Sequence, residues 1–294
     1  MARRVMHDLN AFSLLPPTQF GSRDYHCATD AALTLVYTVQ RGLATGYPVA
    51  TLLFDIQGFF DNVNRDRVVY IFDILGFPLE VVRWVKSFLS NRTIAMHFNG
   101  WTSELFAALN GTPQGSPFSP ILSAVYTIPL LRLAKCWERR ALSLYVDDGN
   151  ITASGATHKM SMDEVIAGFS IVTDWLKRCG LRTDPDKTEF ISFFNPRRPH
   201  HLIGPPPPNI LLCDASNSEL SVPRSTSVRY LGIFIHYKLS WELHVHTMAN
   251  RARSTIRALH LLGNSIRGLD LVNWRRVFHA IVLPVLTYGA PLWA

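Results

Sequence analysis

The sequence is poor in cysteine and lacks the cysteine patterns that build disulfide frameworks or zinc sites. Its four cysteines are isolated from one another and follow no secretory signal; they are Cys27, Cys136, Cys179 and Cys213. Small secreted domains pair many cysteines, and structural zinc sites group them within a few residues. We therefore expect reduced thiols in an intracellular protein, with no preference between nucleus and cytoplasm.

Long apolar runs are also lacking. The longest one, residues 277–294, is interrupted by His279, Pro284 and Pro291. A membrane-spanning helix needs about 20 consecutive apolar residues. We therefore expect this stretch to be a core segment and expect no membrane partner.

The composition argues against a disordered chain and a repeat protein. Of the 294 residues, 48% are hydrophobic and only 17% are charged, whereas disordered chains are rich in charge and poor in apolar residues. No internal period typical of repeat proteins is present. At about 150 residues per domain, the length predicts roughly two structural units.

Lysine is scarce relative to arginine. Six Lys and 23 Arg make up the 29 cationic residues, and the net charge is +7. Arginine grips phosphate with two parallel hydrogen bonds and stacks on bases, which favours nucleic acid over a membrane surface as the partner. From residue 251 onward, Asp270 is the single acid, against Arg251, Arg253, Arg257, Arg267, Arg275 and Arg276. We expect this basic tail to face phosphates.

Apolar periodicity predicts an alternation of helices and strands. Helices are expected at residues 26–44, 64–75, 78–89, 121–140 and 163–179. Strands are expected at residues 49–54, 142–153 and 230–237, the second being a hairpin that turns at Asp148-Gly149. The proline-rich stretch 196–226 predicts an extended loop or hairpin insertion, and the tail is mostly helical. This order predicts a mixed α/β fold.

Three acids lie where predicted strands end or turn. Asp55 follows the apolar run 49–54, and Asp147 and Asp148 are adjacent in the predicted hairpin. Carboxylates crowded at strand ends repel one another unless a cation neutralises them, and hard divalent ions prefer oxygen ligands. An Asp-Gly pair alone is more often an ordinary turn. Together the three acids indicate Mg²⁺, and two ions about 3.5–4 Å apart would suit phosphoryl transfer.

Histidines offer no alternative zinc site. His200, His201, His244 and His246 lack cysteine partners at zinc-ligand spacing. We expect all four to be solvent-exposed loop residues.

Six segments occur in the order and spacing of one polymerase family. They are Gln19-Phe20-Gly21-Ser22-Arg23, Phe54-Asp55-Ile56-Gln57-Gly58-Phe59-Phe60-Asp61 (motif A), Gly111-Thr112-Pro113-Gln114-Gly115-Ser116-Pro117 (motif B), Tyr145-Val146-Asp147-Asp148 (motif C), Gly180 through Lys187-Thr188-Glu189 (motif D) and Tyr230-Leu231-Gly232 (motif E). From about Leu15 onward, the chain resembles the reverse transcriptase of a non-LTR (long interspersed element type) retrotransposon.

The resemblance implies a right-hand polymerase fold of mixed α/β class. Residues 1–229 would form partial fingers and the palm, which is the reverse transcriptase core. Residues 230–294 would form the primer-grip strand and a partial helical thumb. The endonuclease domain and the remaining thumb regions of the family are expected in a longer parent polyprotein.

The resemblance further implies an RNA-directed DNA polymerase that uses two-metal catalysis in retrotransposition. Asp55 and Asp147 would bind both Mg²⁺ ions, with Mn²⁺ as an alternative metal; Asp148 would support them, and the Ile56 carbonyl would be a further ligand. Lys187 would protonate the leaving pyrophosphate. The implied partners are an RNA template, a DNA primer and deoxynucleoside triphosphates.

Four more residues are implied to contact the substrates. Phe60 would lie beneath the sugar and exclude a 2′-hydroxyl, while Phe59, its neighbour on a strand, would face the core. Gln114 and Gly115 would contact the nucleotide and the template, Gly115 by allowing close approach. Arg23 would hold the triphosphate.

The sequence departs from the family pattern at two positions. Phe59 replaces a residue that is usually small, and Asp184 replaces a usual Asn. Both departures fall in motifs that shape the nucleotide site.

Two alternatives stay open. One is a catalytically inactive retrotransposon remnant that only binds nucleic acid through the basic tail. The three intact acids argue against it, whereas the lack of the family's first finger strands before Gln19 argues for it. The other is a group II intron maturase or a telomerase-like polymerase, which the Tyr288-Gly289 and Trp293 segment disfavours.

Overall fold

The computed structural model describes residues 1–195, 203–213, 218–259 and 268–293. The helices in these ranges are α1 (Ala2–Ala11), α2 (Ala28–Ala44), α3 (Phe59–Asn62), α4 (Arg65–Ile74), α5 (Leu79–Leu89), α6 (Ser119–Ala134), α7 (His158–Arg178), α8 (Glu242–Leu259), α9 (Leu271–Val277) and α10 (Leu283–Leu286). Short 3₁₀ or π segments are Pro185–Lys187, Phe278–Val282 and Ala290–Leu292.

The strands form one large sheet and several hairpins. They are β1 (Val49–Asp55), β2 (Thr93–Ile94), β3 (His97–Phe98), β4 (Trp101–Thr102), β5 (Phe106–Ala107), β6 (Arg140–Tyr145), β7 (Asp148–Ser154), β8 (Glu189–Phe193), β9 (Asn209–Cys213), β10 (Glu219–Ser225), β11 (Ser227–Tyr230) and β12 (Ile233–His236). The predicted mixed α/β class is confirmed.

β1 lies inside a six-stranded sheet with the order β6-β7-β1-β8-β10-β9. It pairs antiparallel with β7 and β8, and all seven of its residues are buried. Alternate side chains of a strand enter opposite faces of its sheet. Leu52 and Phe54 accordingly pack in the core that contains α6 and α7, whereas Leu53 packs in a second core with α2 and the β11–β12 hairpin. Burial on both faces explains why residues 49–54 are apolar except for Thr51, whose hydroxyl is hydrogen-bonded to that of Thr152 at 3.0 Å.

The β6–β7 hairpin turns two residues earlier than its Asp-Gly pair predicts. Val146 and Asp147 form the turn, and Asp148 and Gly149 already pair in β7. A Cβ at Gly149 would lie only 2.3 Å from Cζ of Phe54. The prediction of an Asp148-Gly149 turn is therefore wrong, because this glycine makes room for an aromatic ring of β1.

The segment predicted as one strand at residues 230–237 is a hairpin. β11 and β12 pair antiparallel on either side of Leu231 and Gly232, whose φ angles are 48° and 83°. Two positive φ values suit a two-residue hairpin turn, but a leucine adopts one only at a cost. The Tyr288 hydroxyl donates to the Leu231 carbonyl at 2.7 Å and supports the turn from the C-terminal segment.

His244 supports the same region. The prediction that it is an exposed loop residue is wrong. It is fully buried in the first turn of α8. Its Nδ1 accepts the Phe234 N–H at 3.4 Å, and its Nε2 donates to the Tyr288 carbonyl at 2.8 Å. His246 is exposed but also helical, and His200 and His201 lie outside the described residues.

Two predicted helix boundaries are wrong. α6 ends at Ala134, because the chain must reverse before Arg140 begins β6. α7 begins at His158 rather than 163, because the Thr157 side chain accepts the Met160 N–H and caps the helix there.

The insertion and the C-terminal segment complete the fold. In the predicted insertion at residues 196–226, β9 and β10 form the expected hairpin, while 196–202 and 214–217 lie outside the described residues. The stretch 277–294 is not the predicted core segment, since Val282 is buried but Phe278 and Ile281 are exposed. Within the described residues, none of the helices is long and apolar enough to cross a membrane.

Candidate active site

The three predicted acids lie together where β1 ends and β7 begins. Asp55, the last residue of β1, pairs in register with Asp148, the first residue of β7. Asp147 lies in the turn just before Asp148, and its carbonyl accepts the Ile56 N–H at 3.0 Å. Asp55 is 8% exposed. Strand pairing alone therefore brings residues that are far apart in the sequence side by side.

The motif C turn is held in an unfavourable backbone conformation. Val146 has a φ of 61°, which a β-branched residue rarely adopts. The N-terminal segment packs against this turn: a Cβ at Gly21 would lie 2.6 Å from the Val146 backbone nitrogen, and the Phe20 N–H donates to the Leu144 carbonyl at 3.0 Å. The Gln19-Phe20-Gly21 segment thus holds the turn that presents Asp147.

The carboxylates of Asp55, Asp147 and Asp148 repel one another. The pKa of Asp148 is raised to about 6, mainly by burial and, to a smaller extent, by the charges of Asp147 and Asp55. Burial also raises the pKa of Asp147, with a smaller contribution from Asp55. Lys187 offsets part of this negative charge because its Nζ lies 3.0 Å from Oδ2 of Asp55 and 3.9 Å from Oδ2 of Asp184. The bond to Asp55 raises the pKa of Lys187.

The donor chemistry fits Mg²⁺ bound together with a phosphate substrate. Among the described residues, no three or more His, Cys, Asp or Glu side chains form a group that could hold a metal ion by themselves. Mg²⁺ at nucleotide sites usually takes only one or two carboxylates and completes its shell with substrate phosphates and water. The mutually repelling carboxylates of Asp55, Asp147 and Asp148 are oxygen donors of the kind that such a shared shell would use.

The two phenylalanines of motif A begin the short helix α3, so the prediction that they lie on a strand is wrong. Phe59 is 2% exposed and packs edge-to-face against Tyr126, which agrees with its predicted place in the core. Phe60 is half-buried, with its ring 6.0 Å from that of Phe59. The Phe60 carbonyl accepts the Thr112 N–H at 2.7 Å, which joins motif A to motif B.

The motif B loop exposes Gln114 and Gly115 next to α3. Gln114 is exposed and its Nε2 donates to Oδ1 of Asp61 at 3.0 Å. Gly115 has a φ of 83° and open space around its Cα, which permits a close approach of another molecule to the backbone. The structure thus brings Gln114 into contact with motif A through Asp61.

Arg23 is tied to its own segment. Its Nη1 donates to the Pro16 carbonyl at 3.1 Å, and burial lowers its pKa. Ile56 is fully buried directly after Asp55. Both side chains are therefore fixed in position by the fold.

A cavity of about 400 Å³ extends from the acids to the turn of the β11–β12 hairpin. Its lining includes Asp55, Asp148, Lys187, Arg229 and Gly232. Sequence reasoning missed Arg229, whose backbone N–H is fixed by the Glu189 carboxylate at 3.2 Å. The signal was its position directly before the Tyr-Leu-Gly motif.

The hairpin is coupled to the acid-bearing strand by a buried hydrogen bond. Nδ2 of Asn150, on β7, donates to the Tyr230 hydroxyl at 3.0 Å. Adjacent carboxylates on an antiparallel sheet, a lysine paired with one of them, and a hairpin that lines the cavity are the arrangement expected at the active site of a right-hand polymerase.

A family model described as "Reverse transcriptase (RNA-dependent DNA polymerase)" matches residues 1–235. The chain belongs to the reverse transcriptase family.

Curated relatives come from insect mobile elements, which confirms the predicted resemblance to non-LTR retrotransposon enzymes. The chain is 24% identical over 302 residues to the "Probable RNA-directed DNA polymerase from transposon X-element" of Drosophila melanogaster, covering 100% of this chain and 31% of the relative. It is 23% identical over 285 residues to the "RNA-directed DNA polymerase from mobile element jockey" of the same species, covering 95% and 30%. This chain thus spans less than a third of these two relatives.

Solved structures confirm the right-hand fold. Apo telomerase from Candida tropicalis, truncated from its C-terminal domain, superposes with a TM-score of 0.55 at 14% identity over 82% of this chain and 43% of that chain. Telomerase of the same organism, in a complex with a fragment of telomeric RNA, gives 0.52 at 16% identity over 99% of this chain and 47% of that chain.

Proposed function

We propose that this chain is the polymerase part of a retrotransposon protein and copies RNA into DNA by adding deoxynucleotides to a primer 3′-hydroxyl. One observation carries the proposal: Asp55 and Asp148 are paired in register, with Asp147 in the adjoining turn, beside a cavity that the β11–β12 hairpin lines. Family membership and the transposon relatives support this reaction. The endonuclease and remaining thumb would belong to a longer polyprotein.

The acids would hold two Mg²⁺ ions, or Mn²⁺ in their place. In this proposal Asp55 and Asp147 bind both ions, while Asp148 and the Ile56 carbonyl complete the protein ligands. Bound ions would activate the primer hydroxyl and neutralise charge on the leaving phosphates. The chain itself fixes the ligand spacing through the β1–β7 register and the Ile56 N–H bond to the Asp147 carbonyl.

Lys187 is proposed to donate a proton to the leaving pyrophosphate. A lysine ammonium is protonated at neutral pH, and this side chain is 62% exposed and lines the cavity beside Asp55. A protonated group within reach of the leaving oxygen lowers the barrier by neutralising developing charge. Asp55 and Asp184 orient this ammonium at the site.

Four residues are proposed to bind the incoming nucleotide and the template. Phe60 would lie beneath the sugar, Gln114 and Gly115 against the nucleotide and the template, and Arg23 near the triphosphate. The Thr112 bond to the Phe60 carbonyl and the Gln114 bond to Asp61 support a single binding surface built from motifs A and B.

Primer extension tests the proposal directly. Purified protein is incubated with Mg²⁺, the four deoxynucleoside triphosphates and a DNA primer annealed to an RNA template of known sequence. We expect products whose sequence is complementary to the template. Tight binding of the primer–template without extension, in Mg²⁺ and in Mn²⁺, would instead favour the inactive nucleic-acid-binding remnant.

The basic tail should carry a measurable share of duplex affinity. Arg251, Arg253 and Arg257 are exposed on α8, while Arg267 lies outside the described residues. Reversing these three charges to Glu should flatten the salt dependence of binding, by a log–log slope of about 0.9 for each phosphate that the protein no longer neutralises. Fluorescence anisotropy over a salt series measures the slope. Arg83→Glu on α5 is the control, and a wild-type slope in the triple variant would place the duplex elsewhere.

Mg²⁺ should stabilise the fold more at pH 7.5 than at pH 5. The folded state raises the pKa of Asp148 from 3.8 to about 6. Between these pH values the folded protein binds a proton that the unfolded chain has lost, so the fold loses stability as pH rises through this range. A divalent cation relieves the repulsion between ionised carboxylates but competes with protons at pH 5. Thermal denaturation with and without Mg²⁺ measures the difference, which Asp148→Asn should reduce. Equal stabilisation at both pH values would contradict this account.

A further inference from the structure

Arg65 connects the start of α4 to the backbone that leads into motif B and to Gly111, the first residue of motif B. Its Nε donates to the Gly111 carbonyl at 2.9 Å and its Nη2 to the Asn110 carbonyl at 2.7 Å. Its Nη1 donates to the Ala108 carbonyl. One guanidinium therefore binds three carbonyls of a single loop, residues 108–111.

The same loop is bonded to the motif A helix, where Phe60 lies. The Gly111 N–H donates to the Val63 carbonyl at 2.9 Å, and the Thr112 N–H donates to the Phe60 carbonyl at 2.7 Å. Gly111 has a φ of 79°, and a Cβ there would lie 2.7 Å from the Phe60 carbonyl oxygen. The loop and α3 are thus in direct backbone contact, with no space between them for a side chain at residue 111.

Arginine is suited to this contact and lysine is not. A guanidinium presents five donors in a rigid plane, whereas an ammonium is a compact charge on a flexible stem. Lysine at residue 65 would keep the charge but could not reach all three carbonyls in the same geometry. The loop would then be held beside Phe60 only by its two backbone hydrogen bonds, and it would be more mobile relative to Phe60 without loss of the core beneath it.

We propose that Arg65 is a positioning residue for sugar selection: it holds the motif B loop at a fixed distance from Phe60 and so sets the space available to the ribose. This inference rests on the proposed polymerase function and on the proposed place of Phe60 beneath the sugar. Arg65 does not touch the nucleotide in this proposal; it acts through the loop that does.

The test compares incorporation of matched deoxy- and ribonucleotides by wild type, Arg65→Lys and Phe60→Val. We expect Arg65→Lys to lower the ratio of kcat/KM values for the two sugars about tenfold. The double variant Phe60→Val/Arg65→Lys should discriminate no worse than Phe60→Val alone, because both changes affect the same contact.

Arg67→Lys is the matched control on the same helix. Arg67 lies over the rings of Tyr126 and Trp175, at 5.9 Å and 5.3 Å, and has no bond to the loop. Its substitution should lower Tm without changing the sugar ratio. Hydrogen exchange of the peptide that contains Gly111 and Thr112 should accelerate in Arg65→Lys and stay unchanged in Arg67→Lys, and this measurement does not depend on catalysis.

The outcomes separate the inference from the function on which it rests. An unchanged ratio in Phe60→Val would reject the proposed place of Phe60. A lowered ratio in Phe60→Val together with a wild-type ratio in Arg65→Lys would reject the role of Arg65 alone. Equal losses of discrimination in Arg65→Lys and Arg67→Lys would show a general effect of stability and would also reject it.

Discussion

Asp147→Ala is expected to abolish Mg²⁺-dependent primer extension while leaving the affinity for primer–template within a few-fold. In the proposed mechanism this carboxylate binds metal and does not touch the nucleic acid. Losing several kcal/mol of charge stabilisation in the transition state lowers the rate on the order of a thousandfold. Steady-state extension and fluorescence anisotropy measure the two effects separately.

The fold offers a control for this variant. The backbone carbonyl of Asp147 keeps its bond to the Ile56 N–H in the variant, and removing the charge relieves repulsion on Asp148, which offsets the loss of the carboxylate's own backbone hydrogen bonds. Tm should therefore stay equal or rise, whereas Asp163→Ala, in the first half of α7, should leave activity unchanged. Undiminished extension by Asp147→Ala would overturn the metal assignment, and a large fall in Tm would show that the residue is structural.

The position of the acid cluster was predictable because it follows from local rules. An apolar run predicts a strand that is covered on both faces, and an acid directly after it must lie where that strand ends. Asp55 satisfied this rule, whereas the Asp147-Asp148 pair was predicted from its hairpin, and the β1–β7 pairing places the two sets together. The family motifs added the order of the segments, and hence which strands pair.

The parts that sequence reasoning missed depend on contacts between distant segments. Gly149 was assigned to a turn because Asp-Gly is a turn signal, but the ring of Phe54 determines its place. His244 was assigned to a loop because nothing near it in the sequence indicates its partners, Phe234 and the Tyr288 carbonyl. Periodicity describes one element at a time, so it cannot report which side chain of another element fills a gap.

Phe60→Val is expected to weaken discrimination against ribonucleotides about a hundredfold. In the proposed site the phenyl ring occupies the space that a 2′-hydroxyl needs. Removing a steric clash worth about 3 kcal/mol changes the ratio of kcat/KM values by this factor. The backbone bond from Thr112 to the Phe60 carbonyl is independent of the ring and should persist. Steady-state incorporation of matched ribo- and deoxynucleotides measures the ratio.

The adjacent Phe59 provides the internal control, because both residues lie in the first turn of α3 but only Phe59 is buried in the core. Phe59→Leu nearly conserves volume and gives up an edge-to-face contact with Tyr126, so it should cost about 1 kcal/mol of stability and leave the sugar ratio unchanged. A wild-type ratio in Phe60→Val would refute the gate. A change confined to Phe59→Leu would assign the gate to the buried ring and require α3 to rotate when nucleotide binds.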